Sequence, residues 1–299
     1  MMSEPVFGHV ALIGRPNVGK STLLNALIDE HLAIVTHKPQ TTRHQILGVV
    51  NDQRGQLAFV DTPGVHRRRS HALNQRLNRA AAGALRGVDG AVLVVDAGRW
   101  TDEDQLAASL LEGFGGLKIL ALNKIDVLKD RQQLLAKTAE LSARLGIDCV
   151  VYLSALKKDG LNDLLDELFA RLPAGPPQYP LDEFTDRSSR FLAAELVREQ
   201  LMLQLHQEIP YGLTVVVERF EAEGRRLLID ALIVVAEDRH KGMVIGRQGA
   251  VLKRVGSRAR KAMAELFGQP VHLTLHVKTR AGWIDDERLL DELGFADRS

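Results

Sequence analysis

The stretch GRPNVGKS, residues 14–21, combines glycine, lysine and serine in a spacing that can hold phosphate groups. It matches the pattern G-x-x-x-x-G-K-S, and it lies directly after an apolar run and before a helical pattern. Glycines let backbone N–H groups curve around a phosphate, and the N-terminus of the following helix favours negative charge. We therefore expect Lys20 to reach the β- and γ-phosphates of a nucleotide and the Ser21 hydroxyl to bind Mg²⁺.

A second polar motif, DTPG, starts at Asp61, at the end of the next strong strand pattern. The Asp61 carboxylate can hold the Mg²⁺ shell, and Gly64 can offer its N–H to a γ-phosphate. Between the two motifs, the stretch QTTRH at 40–44 supplies hydroxyls. Its spacing from Ser21 favours Thr42 over Thr41 as the second Mg²⁺ hydroxyl. The predicted metal ligands are therefore Ser21, Thr42 and Asp61.

The motif NKID, residues 123–126, follows a strand pattern and predicts a guanine pocket. The Asp126 carboxylate can accept hydrogen bonds from N1–H and the exocyclic amine of guanine. Adenine lacks both donors there, so such a site can discriminate by about 10⁴ or more. Asn123 would brace the loops and the Lys124 stem would cover the ring, while SALKKDG at 154–160 would contribute backbone groups. The predicted GTP-binding residues are Gly14, Arg15, Pro16, Asn17, Val18, Gly19, Lys20, Ser21, Thr22, Asp61, Gly64, Asn123, Lys124, Asp126, Ser154, Ala155 and Leu156.

Four such motifs in this order resemble the translation-factor-related GTPase superfamily, with two departures. Val65 stands where many signalling GTPases carry a glutamine that positions water, so intrinsic hydrolysis should be slow or activated otherwise. In similar GTPases without the glutamine, an asparagine like Asn17 and the backbone of the first switch, here 36–40, bind K⁺, which stabilises transition-state charge. K⁺ is thus a candidate cofactor beside Mg²⁺. The predicted catalytic residues are Lys20, Thr42, Gly64 and Asn17.

A second glycine loop, VIGRQG at 244–249, is a weak signal alone, because glycine-bounded turns between helices are common. Its charge makes it stronger. Residues 239–261 contain eight Lys and Arg and no acidic residue, although 181–299 as a whole has 18 Lys and Arg against 19 Asp and Glu. A cationic face on a near-neutral domain favours RNA. The predicted RNA-binding residues are Ile245, Gly246, Arg247, Gln248, Gly249, Leu252, Lys253, Arg254, Arg258 and Lys261, with Ile245 and Leu252 as apolar backing for bases.

The motifs lie on two different element patterns. Between Val10 and Ala155, apolar strand patterns alternate with helical ones, which predicts an α/β fold with a mainly parallel sheet and helices on both faces. Ligands then lie at the carboxyl ends of the strands, where the polar motifs fall. The predicted strands are HVALIG, QLAFVD, AVLVVDA, KILALNK and CVVYLSA, and the predicted helices are KSTLLNALI, SHALNQRLNRAAAGALR, DEDQLAASLLEG and LKDRQQLLAKTAELSARLG.

The proline-rich stretch 172–186 predicts a stiff linker. We therefore divide the chain into a GTP-binding domain at 1–172, a linker at 173–186 and a small α+β RNA-binding domain with a C-terminal helix at 187–299. The last part reads as a helix, two strands, a helical region at 243–267 and the strand VHLTLHVKT, whose Val271, Leu273, Leu275 and Val277 should face inward. This order is that of the prokaryotic KH fold.

Bulk composition is compatible with two globular domains. The chain has 299 residues, 45% hydrophobic and 26% charged, with a net charge of +1, so nothing in the bulk demands nucleic acid or an anionic membrane. One cysteine cannot form an internal disulfide. The N-terminus lacks a signal-peptide pattern, and no apolar run reaches the roughly 18 residues of a membrane helix. We expect a soluble cytoplasmic protein.

The combination resembles the bacterial Era GTPase family over the whole chain. The motifs are GRPNVGKST, QTTRH, DTPG, NKID, IPYG, VIGRQG and the C-terminal GWIDDERLLDELGF. The resemblance implies a GTPase that forms GDP and phosphate, binds the 3′ end of 16S ribosomal RNA in the small-subunit precursor, aids its maturation and associates peripherally with the inner membrane. It also implies that the GTP state presents residues 246–249 to RNA. We expect a monomer.

Three other functions stay open at this point. One is a GTPase that regulates the cell cycle or signalling through a protein partner of its second domain. Another is a metabolic phosphotransferase, which NKID disfavours, and a third is a passive RNA-binding module with a relic nucleotide site, which intact Lys20, Ser21 and Asp61 disfavour. The cluster Arg67 to Arg69 after DTPG either couples nucleotide state to domain packing or is simply solvated.

Overall fold

A computed structural model describes residues 4–36, 38, 41–65, 71–128, 138–139, 142–147, 149–205 and 212–295. These residues divide into two compact units. Unit 1 contains 1–33, 42–68 and 77–186, and unit 2 contains 34–41, 69–76 and 187–299. Each unit has its own sheet. The cluster Arg67 to Arg69 and most of the predicted helix at 128–146 lie outside the described residues.

Unit 1 is built on a six-stranded sheet in the order β2-β3-β1-β4-β5-β6, in which only β2 runs antiparallel to its neighbour. This confirms the predicted α/β fold with a mainly parallel sheet. The strands are β1 Val6–Ile13, β2 Ile46–Asp52, β3 Gly55–Asp61, β4 Gly90–Asp96, β5 Leu117–Asn123 and β6 Cys149–Leu153. The helices are α1 Lys20–Ile28, α2 Ala72–Gly83, α3 Asp102–Ser109 and α4 Leu161–Arg171, and of α2 residues 77–83 belong to this unit.

Helices cover both faces of this sheet. Odd-numbered β1 residues, Ala11 and Ile13, share a buried cluster with Ala81 of α2 and Ala107 of α3. On the opposite face, Gly8 lies close to Leu172 at the end of α4, since an added Cβ on Gly8 would lie 2.9 Å from the Leu172 side chain. Successive strand residues face opposite sides of a sheet, so the nearly continuous apolar runs follow from burial on both faces.

Sequence reasoning missed strand β2. Its run, ILGVVND, is short and is interrupted by Gly48. An added Cβ there would lie 2.7 Å from the Leu24 side chain of α1, so the glycine lets this helix pack closely on the strand. The strand forms a hairpin with β3, paired from Ile46 with Asp61 to Asp52 with Gly55, and a hairpin partner requires no crossover helix.

The proline-rich stretch packs against unit 1. The buried side chain of Gln56 accepts hydrogen bonds from the backbone N–H of Gln178 and Tyr179, both at 2.9 Å, and donates to the Tyr179 carbonyl. The backbone of Phe184 also accepts from Val49. Residues 173–186, which the sequence analysis treats as a separate linker, belong to unit 1 in the structure. The change of unit falls between 186 and 187.

Unit 2 has a three-stranded sheet, β7 Leu213–Glu223, β8 Arg226–Val235 and β9 Val271–Thr279. β8 pairs antiparallel with β7 and parallel with β9. Helix α5, Ser189–Gln204, precedes the strands, α6 Asp238–Ile245 and α7 Ala250–Phe267 separate β8 from β9, and α8, Glu287–Glu292, follows. This is the predicted helix-strand-strand-helix-helix-strand order of a KH domain. Val271, Leu273, Leu275 and Val277 pack on its core, as predicted.

Unit 2 also includes a buried ion pair. The Arg198 side chain is 2% exposed and donates to both carboxylate oxygens of Glu195, at 2.7 and 2.6 Å. The Arg198 Nη2 group also donates to the Thr41 carbonyl, at 2.5 Å. Buried guanidinium groups need such full pairing, because an unpaired buried charge is strongly destabilising.

Candidate nucleotide and RNA sites

The loop between β1 and α1 has the backbone shape of a phosphate cradle. Gly14 and Gly19 have φ of 156° and 103°, in the region that favours glycine. Cβ atoms at these positions would collide with the carbonyl of Val94 and the side-chain amide of Asn123. Both glycines are therefore required by close approach, and the loop N–H groups precede the N-terminus of α1.

Lys20 is the first residue of α1, and it is 6% exposed. Its ammonium donates to the carbonyls of Gly14 and Arg15, at 2.9 and 3.1 Å. Burial lowers the pKa of Lys20 to about 8, while the negative charge of Asp61 acts in the opposite direction. A buried cation whose hydrogen bonds go to loop carbonyls is suited to bind phosphate.

Three oxygen-bearing side chains meet beside α1. Ser21 Oγ lies 2.6 Å from Asp61 Oδ2 and 2.7 Å from Thr42 Oγ1, and Thr42 Oγ1 lies 3.2 Å from the same carboxylate oxygen. The neighbouring Thr41 hydroxyl instead contacts Thr36 Oγ1 and the Lys38 carbonyl. The structure therefore brings together the three residues predicted as metal ligands.

The chemistry of this set fits a hard divalent cation. Asp61 is fully buried, and burial raises the pKa of its carboxyl above the usual range, opposed by Lys20 and by hydrogen bonds from Ser21 and Thr42. Among the described residues, its Oδ1 has no hydrogen-bond partner. Carboxylate and hydroxyl oxygens with one buried oxygen left over are what Mg²⁺ binds.

Residues 64 and 65 lie against the phosphate loop. A Cβ on Gly64 would lie 2.7 Å from the Pro16 nitrogen, so only glycine allows this approach. Val65 donates its N–H to the Gly14 carbonyl at 3.3 Å, and its side chain is 4% exposed in the apolar cluster of unit 1. An aliphatic side chain packed into a core does not orient water.

Asn17 stands at the exposed tip of the loop with a positive φ of 63°. Its carbonyl accepts from the Lys124 ammonium at 2.8 Å. In the predicted K⁺ shell, His37, Pro39 and Gln40 lie outside the described residues. Of the remaining loop residues, Val18 is buried and Arg15, Pro16 and Thr22 are half-buried.

Asn123 joins three loops around the predicted base pocket. Its Nδ2 donates to the Val18 carbonyl at 2.8 Å, and its Oδ1 accepts from the N–H groups of Lys124 and Ala155, at 2.8 and 2.9 Å. It is 2% exposed. These contacts connect the phosphate loop with both base-side loops.

The remaining base-side residues flank this amide. Lys124 Nζ also pairs with Asp96 at 3.0 Å. The Asp126 carboxylate accepts from Ser154 Oγ at 2.6 Å, and Leu156 is 73% exposed. Sequence reasoning missed Asp96, whose only signal was its position at the carboxyl end of β4.

In unit 2 the second glycine loop connects α6 to α7. Gly246, Gln248 and Gly249 have φ of 74°, 51° and 75°. An added Cβ on Gly246 would lie 2.5 Å from Val251, whereas nothing lies within 4 Å of one on Gly249. Arg247 and Gln248 are exposed, and Ile245 is half-buried. The loop thus presents backbone and a cation to solvent with little side-chain bulk at its second glycine.

A groove of about 490 Å³ continues from this loop between α7 and β9. Leu273 and Leu275 form its apolar side, and Lys253 and Arg260, seven residues apart on α7, its cationic side. The full lining is Gly249, Leu252, Lys253, Gly256, Ser257, Arg260, Leu273 and Leu275. Five of the lining residues were not among the predicted RNA-binding residues: Gly256, Ser257, Arg260, Leu273 and Leu275. The groove exists only because α7 packs beside β9, and sequence patterns do not show that packing.

Three further predicted cations, Arg254, Arg258 and Lys261, are exposed on α7 but are not among the residues that line the groove. Lys261 lies 3.8 Å from Glu265. The structure therefore separates the predicted RNA-binding set into the loop with its groove and a neighbouring cationic arc of α7.

Comparisons with known proteins match a part of each unit to a family. Residues 9–124 match the family described as 50S ribosome-binding GTPase, and residues 208–284 match the KH domain family. The chain is 49% identical over 288 residues to GTPase Era of Stenotrophomonas maltophilia, covering 96% of this chain and 97% of that protein. It is also 49% identical to GTPase Era of Xanthomonas axonopodis pv. citri, with 96% of each chain covered.

Two solved structures are similar along the length of the chain. One is an Aquifex aeolicus Era variant bound to GDP and AlF₄⁻, with a TM-score of 0.92, 32% identity and coverage of 97% of this chain and 99% of that one. The other is an Era in complex with MgGDPNP and nucleotides 1506–1542 of 16S ribosomal RNA, with a TM-score of 0.92, 32% identity and coverage of 98% and 99%. Together with the relatives, they show that this chain belongs to the Era family of GTPases, enzymes that hydrolyse GTP.

Proposed function

We propose that this chain is a GTP-hydrolysing switch that binds the 3′ end of 16S ribosomal RNA and assists small ribosomal subunit assembly and rRNA maturation. One observation carries the proposal: a nucleotide site on unit 1 and a glycine loop that opens into a cation-lined groove on unit 2 occur in one chain. The similar Era structure that contains nucleotides 1506–1542 of 16S ribosomal RNA supports the choice of RNA.

Mg²⁺ is the proposed resident metal, held by Ser21, Thr42 and Asp61. The convergence of their oxygens within 3.2 Å and the leftover buried Asp61 Oδ1 support this choice. When bound beside GTP, the metal neutralises phosphate charge. Lys20 donates hydrogen bonds to the β- and γ-phosphates, and the Gly64 N–H donates to the γ-phosphate.

For hydrolysis itself we propose a role for K⁺ near Asn17. The buried Val65 supports it, because the chain places no glutamine directly after DTPG to hold the attacking water. Turnover of the full chain should be faster in KCl than in NaCl or choline chloride at equal ionic strength, and Asn17→Ala should remove the difference. Equal wild-type rates in KCl and NaCl would exclude the K⁺ role.

Guanine is the proposed base. The Asp126 carboxylate would accept from N1–H and the exocyclic amine, Asn123 fixes the surrounding loops, and the Lys124 stem would lie along the ring. Ser154, Ala155 and Leu156 would close the pocket. An adenine nucleotide offers the Asp126 carboxylate neither of these donors, so it should bind less tightly than a guanine nucleotide.

For the second site we propose single-stranded RNA. KH glycine loops hold the sugar-phosphate backbone of about four nucleotides. Here the loop is Gly246 to Gly249, and Ile245 and Leu252 supply apolar contact beside it. Lys253, Arg254, Arg258 and Lys261 supply positive charge along α7, which strengthens binding to any phosphate backbone.

Crosslinking in cells, followed by sequencing of the attached RNA, tests the RNA function. The variant is Gly249→Asp, and its matched control is Gly268→Asp. Both glycines have positive φ at the two ends of α7, and both have open space around an added Cβ, so the two variants share backbone strain and added charge.

The expected result is enrichment of the 3′ end of 16S ribosomal RNA with wild type and with Gly268→Asp, and its loss with Gly249→Asp. No enriched RNA with wild type would overturn the RNA function. The alternative, a GTPase that regulates the cell cycle or signalling through a protein partner of unit 2, would then become the leading function.

Three minor proposals remain. Only the family resemblance supports peripheral association with the inner membrane, and flotation of the full chain with anionic phospholipid vesicles tests it. Among the described residues, no helix has the length and apolar character needed to cross a membrane. A ribosomal partner supports a cytoplasmic location, and light scattering after gel filtration tests the proposed monomer.

A further inference from the structure

An ion pair fastens the phosphate loop to α3. Arg15, the second residue of the loop, places its Nε 2.9 Å from Oδ2 of Asp104. The two side chains are 14% and 0% exposed. The residues are 89 positions apart in the chain, and nothing in the motifs indicated that they would meet.

The two oxygens of the Asp104 carboxylate differ, because the hydrogen bonds seen in the structure all go to Oδ2. Oδ2 also accepts from the N–H and the hydroxyl of Thr101, both at 2.8 Å, which makes Asp104 part of the capping box that begins α3. Oδ1 is buried and has no hydrogen-bond partner among the described residues. A carboxylate in that position is costly unless a cation compensates it. Among the described residues, Arg15 is the cation that forms a salt bridge with it.

The pair reaches the loop through the backbone of Arg15. The Arg15 carbonyl accepts from the Lys20 ammonium at 3.1 Å. A guanidinium fixed at one end and a carbonyl fixed at the other hold this peptide unit in one orientation. Arg15 lowers and Asp104 raises the pKa of Lys20, after the larger effects of burial and Asp61, so both charges act on the phosphate-binding ammonium.

We propose that Asp104 is a positioning residue for nucleotide binding, which holds the phosphate loop through Arg15 in its binding shape before a nucleotide arrives. Preorganised groups bind more tightly because less order has to be created on binding. The loop would hold the β-phosphate, which GDP and GTP share. The pair therefore affects the affinity for both nucleotides and leaves the hydrolysis step unchanged.

The test is Asp104→Asn, which removes the charge and keeps the shape. Asp104 would act on the loop through Arg15, as the hydrogen-bond partner of a metal ligand acts on a metal. Loss of such a partner costs about 10- to 100-fold in metal affinity. We expect GDP and GTP affinity to weaken about tenfold each, KM to rise in parallel and kcat to stay within about twofold, the pattern of lost uniform binding.

Thr101→Val is the matched control. It removes the hydroxyl from the capping box and leaves the Arg15–Asp104 pair in place, so it should lower the melting temperature without changing nucleotide affinity. The double variant Arg15→Gln with Asp104→Asn should bind GDP as weakly as Asp104→Asn alone, because both changes remove one interaction.

Two results would overturn the inference: Asp104→Asn binding within about twofold of wild type, or Thr101→Val losing as much affinity as Asp104→Asn. The inference rests on the phosphate loop proposed above, which Lys20→Ala tests separately. If Lys20→Ala binds GDP like wild type, the proposed nucleotide site fails. If Lys20→Ala loses binding while Asp104→Asn does not, only the role of Asp104 fails.

Discussion

The hydroxyl of Ser21 lies 2.6 Å from Oδ2 of Asp61, although 40 residues separate them in the chain. Ser21 is in the first turn of α1 and Asp61 is the last residue of β3. Because β3 pairs in parallel with β1, the strand that leads into α1, both residues reach the same edge of the sheet. Their meeting point is therefore a consequence of sheet topology.

Thr42, the third proposed metal ligand beside Ser21 and Asp61, gives the first prediction. Thr42→Val should raise the Mg²⁺ concentration needed for half-maximal GTP hydrolysis about tenfold, because a ligand hydroxyl is lost without a change of shape. Thr41→Val is the matched control, since its hydroxyl contacts Thr36 and the Lys38 carbonyl instead of Asp61. Magnesium titration of turnover measures both. A larger shift for Thr41→Val than for Thr42→Val would show that Thr42 is not the metal ligand.

Lys20 gives a prediction on pH and nucleotide binding. Its pKa in the nucleotide-free protein is about 8, and phosphates at the site would raise it. Binding then takes up a proton above pH 8, so GDP affinity should be constant below pH 8 and fall by up to tenfold per pH unit above it. Calorimetry in buffers of different ionisation enthalpy measures the proton. No proton uptake at pH 9 would contradict this account, and Lys20→Met should show none.

The same group affects stability with the opposite sign. Because the folded pKa of Lys20 lies below the unfolded value of 10.5, the unfolded chain binds more protons between pH 8 and 10.5. The contribution of this lysine to the free energy of unfolding of the nucleotide-free protein should therefore rise with pH over that window, by about 3 kcal/mol. Subtracting the urea-unfolding profile of Lys20→Met from that of wild type isolates it; a flat difference from pH 8 to 10 would contradict it.

Asp126 gives a prediction on base choice. Asp126→Asn replaces two acceptor oxygens by one acceptor and one donor, so GTP affinity should fall by about 10² or more. Xanthine carries a carbonyl in place of the guanine amine and should pair with the new donor. Competition of GTP and XTP for the variant measures the exchange. A variant that weakens both nucleotides equally would show that Asp126 supports the fold around Ser154 rather than the base.

The groove of unit 2 gives a prediction on salt dependence. Lys253→Gln with Arg260→Gln should weaken single-stranded RNA binding and reduce the slope of log affinity against log salt by about 1.4, since each phosphate contact contributes about 0.7. Arg225→Gln is the control, because Arg225 is an exposed cation in the turn between β7 and β8. If Arg225→Gln changes the slope as much, charge in general and not the groove determines binding.

Local motifs determined much of this site. Glycine, lysine and serine spacing located the phosphate loop. The preference for Thr42 over Thr41 stays a prediction, and in the structure it is Thr42 whose hydroxyl lies beside Ser21 and Asp61. Alternation within VHLTLHVKT located the inward residues of β9. These features depend on neighbours within a few residues, so their physical causes, backbone reach and side-chain period, are present in the sequence itself.

Other relationships depended on the assembled units. Strand β2 became a strand through its hairpin with β3, and the proline-rich segment joined unit 1 through Gln56, more than 120 residues away. The groove between α7 and β9, and the pair of Arg15 with Asp104, likewise join segments far apart in the chain.

The sequence by itself determined the family, the order of the elements other than β2 and the chemistry expected of each motif. Tertiary structure decided which carboxylate meets Arg15, which cations of α7 line the groove and where the proline-rich segment belongs. The physical reason is that hydrogen bonds and ion pairs depend on distances of about 3 Å. Such distances between remote residues are fixed only when strands pair and helices pack around a common core.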